Sequence, residues 1–135
     1  MFLAKEPELA LAAQWALALS EEEALDLRPY EEHLAEMREF IEKRRLLMWH
    51  TEAGEITCMC AVTEEEGVGY LSRVYTPPEY RRKGYAAALV HDVTHCLMVQ
   101  GMRPALCTNA DYAPSNACYR KLGYTPAGGF MTLGL

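Results

Sequence analysis

No apolar run in the chain is long enough to cross a bilayer, and residues Met1 to Lys5 carry neither the charged start nor the extended apolar stretch of a secretory signal. A soluble, cytoplasmic protein with no membrane partner is therefore expected. A basic excess is also missing. The formal net charge over 135 residues is -6, which argues against a general nucleic-acid binder. The five cysteines, Cys58, Cys60, Cys96, Cys107 and Cys118, are an odd count without a CxxC pair, and each falls inside an apolar periodic stretch. Free buried thiols fit that pattern better than disulfides or a zinc site. His91 and His95 stand at i and i+4 without the intervening glutamate of a zinc hydrolase, so no metal is expected. Internal repeats, low-complexity tracts and linkers are absent, and with 50% apolar residues the chain can bury the core of one domain, residues 1–135.

What is present is a regular alternation of patterns. Leu9, Ala12, Ala13, Ala16 and Leu19 recur at helical spacing between Glu6 and Glu23, with Pro7 near the start where a missing amide is harmless. After Arg28-Pro29, Tyr30, Leu34, Met37 and Ile41 predict a second amphipathic helix running to Arg45. Leu46 to Thr51 and Glu55 to Thr63 read as two strands around Ala53-Gly54, the second with Ile56, Cys58, Cys60 and Val62 on one face. A third strand, Val68 to Thr76, is stopped by Pro77-Pro78. Ala86, Val90, Val93 and Leu97, with Leu89 and Met98 beside them, predict a long helix from about Arg82 to Gln100. Pro104 to Asn109 reads as a strand, Pro114 to Leu122 as a short helix closed by Gly123, and Phe130 to Leu133 as a last strand. Phe2-Leu3-Ala4 is short for an opening strand, which implies either a stubby edge or a chain cut from a longer one.

Charge is concentrated at one junction. Between Arg73 and Lys83 four basic residues (Arg73, Arg81, Arg82, Lys83) face one acid (Glu79), a local charge of +3 in an acidic chain. The segment Val74 to Ala86 passes from a strand through a proline-stiffened basic loop into a helix. The first amides of a helix lack internal partners and its macrodipole is positive there, so a phosphate can accept several hydrogen bonds at once. Gly84 lets the backbone approach closely and Ala86 keeps the next turn thin.

Arg81-x-x-Gly84-x-Ala86 resembles the pyrophosphate-binding pattern of the GNAT superfamily of N-acetyltransferases, Gln/Arg-x-x-Gly-x-Gly/Ala. The run Val74-Tyr75-Thr76-Pro77-Pro78-Glu79-Tyr80-Arg81 is similar to an acetyl-CoA-dependent bacterial branch of it. Ser115-Asn116-x-x-Tyr119-x-x-x-Gly123-Tyr124 resembles the second family signature, so the likeness covers the C-terminal half, and the front half agrees in element order. The resemblance implies an α+β fold with a mixed, mostly antiparallel sheet flanked by helices, whose two central strands splay to admit acetyl-CoA. It implies that Val74, Tyr75 and Thr76 pair with the pantetheine arm and that Arg81, Arg82, Lys83, Gly84, Tyr85 and Ala86 hold the diphosphate. Asn116 would touch the cofactor arm and Tyr119 would protonate the departing thiolate, while a primary amine, from a small molecule or a peptide, attacks the acetyl carbonyl directly. Donors near Val74 would stabilise the oxyanion. Where family members often carry a glutamate on the strand before the loop, this one offers Tyr70, Ser72 and Arg73. Tyr112 and Asn109 also depart from the related branch, and the base is sought at Asp111, His50 or the glutamates of residues 64–66.

Two rivals follow from the same residues. One is a CoA-binding module without turnover, a sensor or a degenerate domain; the other is an interaction domain whose basic loop docks an acidic protein. The acceptor is not legible here, and a homodimer is compatible with the sequence.

Overall fold

The structure, a computed structural model, describes residues 1–24, 27–107, 122–127 and 130–133. Seven strands form one sheet in the order β1-β2-β3-β4-β5-β7-β6, with β1 at Phe2–Leu3, β2 at Leu46–His50, β3 at Ile56–Glu65 and β4 at Val68–Tyr75. The remaining strands are β5 at Arg103–Cys107, β6 at Tyr124–Ala127 and β7 at Phe130–Leu133. Only β4 and β5 run parallel; every other neighbouring pair is antiparallel. Helices α1 (Leu9–Glu23) and α2 (Tyr30–Glu42) precede β2, and α3 (Tyr85–Val99) makes the crossover between the two parallel strands. Among the described residues, no helix is long and apolar enough to cross a membrane.

Both faces of β3 are covered, and this follows from its composition. Cys58, Cys60 and Val62 pack with Leu71 of β4 and with Leu89, Val90, Val93 and Leu97 of α3. Met59 and Ala61 point the other way, into Met37 of α2, Ala12, Trp15 and Ala16 of α1, and Leu46 and Met48 of β2. The strand is thus doubly buried, and its apolar residues run continuously rather than alternating. Ile56, expected on the face of Cys58, packs in the second cluster. The reason is a bulge: Trp49 pairs with Cys58 but His50 pairs with Ile56, so Thr57 is extra, its Oγ1 donating to the Trp49 carbonyl at 3.3 Å.

Two boundaries differ from the sequence expectation. α2 stops at Glu42, because Arg44 turns left-handed (φ 58) and the amide of Arg45 closes back on the Phe40 carbonyl at 2.8 Å. α3 starts at Tyr85 rather than Arg82, since Gly84 at its N-cap has φ 83. Met98 is 41% exposed and does not belong to the buried stripe. β6 was not expected at all: four residues containing Pro126 make a weak strand signal, and the proline is accommodated because β6 is an edge. β1 is the stubby edge strand. Asn109 and nearly all of the expected helix from Pro114 to Leu122 lie outside the described residues.

α3 crosses β4 at Gly69, where an added Cβ would stand 2.8 Å from both Cδ atoms of Leu97. In the same core Thr94 on α3 hydrogen-bonds Tyr124 on β6.

The buried Cys58 thiol supplies a test of packing. Burial pushes it up to about 11 from 9.0, against the lesser pull of the Thr57 hydroxyl. Its folded value lies above its unfolded value, so the stability it contributes is complete below pH 9 and is lost as the pH rises towards 11. The loss should total about 2–3 kcal/mol. Denaturant midpoints measured under reducing conditions should fall across that window, and fall less in Cys58→Ala; parallel falls would mean the thiol is hydrated.

Candidate active site

The site is built where β4 outruns β5. Their ladder extends from Val68↔Arg103 to Leu71↔Leu106, while β4 continues to Tyr75 paired with β3 alone. This is the end of the sheet at which the resemblance implies an opening between the two central strands.

Within that stretch β4 bulges. Ala61 pairs with Ser72 and Met59 with Tyr75, so three steps on β4 answer two on β3. Leu71 and Val74, three residues apart, consequently pack on the same face, against α3. The extra residue is Arg73, in the left-handed region at φ 53, a conformation that costs a non-glycine residue about 1 kcal/mol or more. It is held there from α2: Arg73 Nε donates to Glu36 Oε1 at 2.9 Å, and Arg28 Nη2 donates to Glu36 Oε2 at 2.9 Å. Burial alone would raise the Glu36 carboxyl, but the hydrogen bonds and charges of Arg73 and Arg28 outweigh it and hold the group below the usual value. The folded value lies below the unfolded one, so this stabilisation is present above about pH 4.5 and is lost as the pH falls through the depressed value. Glu36→Gln should therefore cost about 1–3 kcal/mol at neutral pH and flatten the acid limb of the stability profile. An unchanged acid limb would show that Glu36 does not hold the bulge.

Beyond Tyr75 the chain turns through a 3-10 segment, Pro78–Tyr80, into α3. Two left-handed residues, Arg82 (φ 64) and Gly84 (φ 83), rotate the backbone before the helix. The first amide to close on the cap is that of Ala88, bonded to the Gly84 carbonyl at 3.0 Å. Among the described residues, the amides of residues 82–87 donate to no backbone acceptor. Arg82, Lys83 and Gly84 are exposed, and Tyr85 and Ala86 are half-buried. A Cβ on Gly84 would meet nothing within 4 Å among the described residues, so the chain is open on that side of the residue. Successive amides without backbone acceptors at a helix N-terminus, flanked by two exposed cations, could hold the diphosphate of a nucleotide thioester.

Arg81 is placed differently from its basic neighbours. Its Nε donates to the Thr76 carbonyl at 2.8 Å, its Nη2 lies 2.7 Å from both carboxylate oxygens of Glu22 on α1, and its Cζ sits 5.6 Å from the Tyr75 ring centre. Tyr75 in turn packs on Trp15, with centroids 6.0 Å apart. Tyr75 therefore offers the opening its backbone only. Tyr80 donates its hydroxyl to Glu55 at 2.8 Å and meets the Tyr85 ring edge-on at 6.3 Å, which ties the loop to the turn between β2 and β3.

Of the residues considered as a base, Glu64 pairs with Gly69, five residues and about 17 Å along β4 from Val74. The 64–66 turn is thus at the far end of the strand. His50 is at the near end, exposed, with Nδ1 2.8 Å from the Thr51 carbonyl oxygen. Asp111, Tyr112, Ser115, Asn116 and Tyr119 lie outside the described residues.

A family model described as FR47-like protein matches residues 51–129. No curated protein matches the chain. Among solved structures, an acetyltransferase from the GNAT family of Colwellia psychrerythraea is similar with a TM-score of 0.80 and 15% identity, over 99% of this chain and 49% of that one. This chain thus spans about half the length of that protein. A GNAT family acetyltransferase from Brucella melitensis, solved in complex with acetyl-CoA, gives 0.71 and 16% identity over 99% and 86% of the two chains. AAC(6')-Iy, solved with the bisubstrate analog CoA-S-monomethyl-acetylneamine, gives 0.72 and 18% over 93% and 89%. At these identities the likeness is one of fold.

Proposed function

Since the chain belongs to the FR47-like family, of the GNAT type, we propose that it transfers an acetyl group from acetyl-CoA to a primary amine by direct attack. The observation that carries this reading is the run of amides at residues 82–87 that meet no backbone acceptor among the described residues, next to the end of β4 that lies past its ladder with β5. The diphosphate accepts from these amides, with Arg82 and Lys83 adding charge. The pantetheine arm lies along Val74, Tyr75 and Thr76 as an added strand, using main-chain groups. That path brings the thioester to the bulge at Arg73, with donors near Val74 stabilising the developing oxyanion. Tyr119 is the general acid towards the thiolate and Asn116 a contact to the arm, both carried over from the second family signature. An acceptor that is an amine is supported by the fold shared with AAC(6')-Iy, whose bound analog joins CoA to an acetylated amine.

The test pairs calorimetry of acetyl-CoA binding with free-thiol release across a panel of amines. Binding and release together are expected, and ligand at a hundredfold over its dissociation constant should stabilise the fold by about 2.7 kcal/mol. Binding without release from any amine would sink the transfer reaction and leave a CoA-binding module.

A further inference from the structure

Three glutamates, Glu21, Glu22 and Glu23, close the last turn of α1, which contains no basic residue. Anions at a helix C-terminus oppose the macrodipole, so local preference does not account for them. Glu22 has its partner 59 residues away, in Arg81. That guanidinium also holds the Thr76 carbonyl and covers Tyr75, and it thereby closes the loop of residues 76–81 on itself and onto α1. The next residue, Arg82, is one of the two left-handed positions at which the backbone turns before α3, and a non-glycine residue stays in that region only where its surroundings hold it.

We propose that Arg81, the first position of the Arg-x-x-Gly-x-Ala pattern, is a positioning residue and not a diphosphate ligand, and that Glu22 on α1 is the group it acts through. The pair fixes the backbone entering residues 82–87, so the end of α1 controls how tightly the cofactor is held. This rests on reading those amides as the diphosphate site.

The two roles for Arg81 predict opposite signs at Glu22. If the Arg81 side chain bound phosphate, removing the competing carboxylate would release that cation and tighten the complex. As a strut, the pair needs both members, and Glu22→Gln weakens the complex although it removes a negative charge from the neighbourhood of an anionic ligand.

Acetyl-CoA dissociation constants by calorimetry are expected to rise about threefold to fivefold in Glu22→Gln and in Arg81→Gln, the range of a partly exposed ion pair. The double variant should be no weaker than the worse single one. Arg81→Lys should not rescue, because one ammonium lacks the fork that spans Thr76 and Glu22. Turnover of Glu22→Gln at saturating acetyl-CoA should be unchanged, which places the effect in KM. Tryptic cleavage of the free protein after Arg82 and Lys83 gives a readout that needs no cofactor, and it should quicken in both single variants. Tighter or unaltered binding in Glu22→Gln, or unaltered cleavage, overturns the strut. Faster cleavage in a protein whose wild type binds no acetyl-CoA refutes the diphosphate reading instead.

Discussion

Gly84→Glu is expected to abolish detectable acetyl-CoA binding while leaving the chain folded. Gly84 has φ 83, so any side chain there meets backbone strain of about 1–2 kcal/mol, but its Cβ would touch none of the described residues. Gly84→Ala shares that strain and isolates it. The glutamate adds bulk and a negative charge in front of the amides of residues 82–87. At about 5 Å from a phosphate and an effective dielectric of about 20, like charges repel by about 3 kcal/mol, two orders of magnitude in affinity before the steric term. Calorimetry on wild type, Gly84→Ala and Gly84→Glu, with melting temperatures beside it, separates the terms: both variants should melt alike, and only the glutamate should lose the ligand. Retained tight binding in Gly84→Glu would place the diphosphate elsewhere.

The loop from Val74 to Ala86 was legible in the sequence because its signals are local. Proline stops a strand, glycine reverses a backbone, and basic residues crowd one helix start. The helix stripes of Leu9 to Ala16 and Val90 to Leu97 were legible for the same reason, each being set by residues three and four apart. What failed to read were features made by pairing between distant segments. The bulge at Thr57 moved Ile56 to the other face of β3, and the bulge at Arg73 gave β4 its left-handed residue; neither leaves a periodic trace.

The charge count shows the same limit. Along the sequence Arg73 and Arg81 belong to a basic cluster, yet in the fold α2 lends Glu36 to the first and α1 lends Glu22 to the second. The positive charge the loop presents outward is carried by Arg82 and Lys83, both exposed. The sign that partners existed was present in the wrong place, as glutamates at the end of α1 where the macrodipole disfavours them. Local conflict of this kind points to tertiary contacts, and often to a site.

Under the proposed reaction the second large effect is expected from Tyr119→Phe, and it should fall on rate. Direct transfer expels a thiolate, and a phenol can protonate it because the two groups have similar proton affinities, with reference values of about 10 and 8.5. Loss of a general acid costs about 10²–10⁴ in kcat, whereas removing one oxygen from a ring leaves cofactor binding nearly unaltered. The described tyrosines around the loop set the controls. Tyr75 is packed between Trp15 and Arg81, and Tyr80 is bonded to Glu55, so Tyr80→Phe should change kcat little. A general acid must be protonated, so wild-type kcat should decline at alkaline pH and the Tyr119→Phe profile should lose that limb. If turnover and its alkaline limb survive in Tyr119→Phe, the proton comes from another group, and Tyr85, whose ring borders the same loop, becomes the next to substitute.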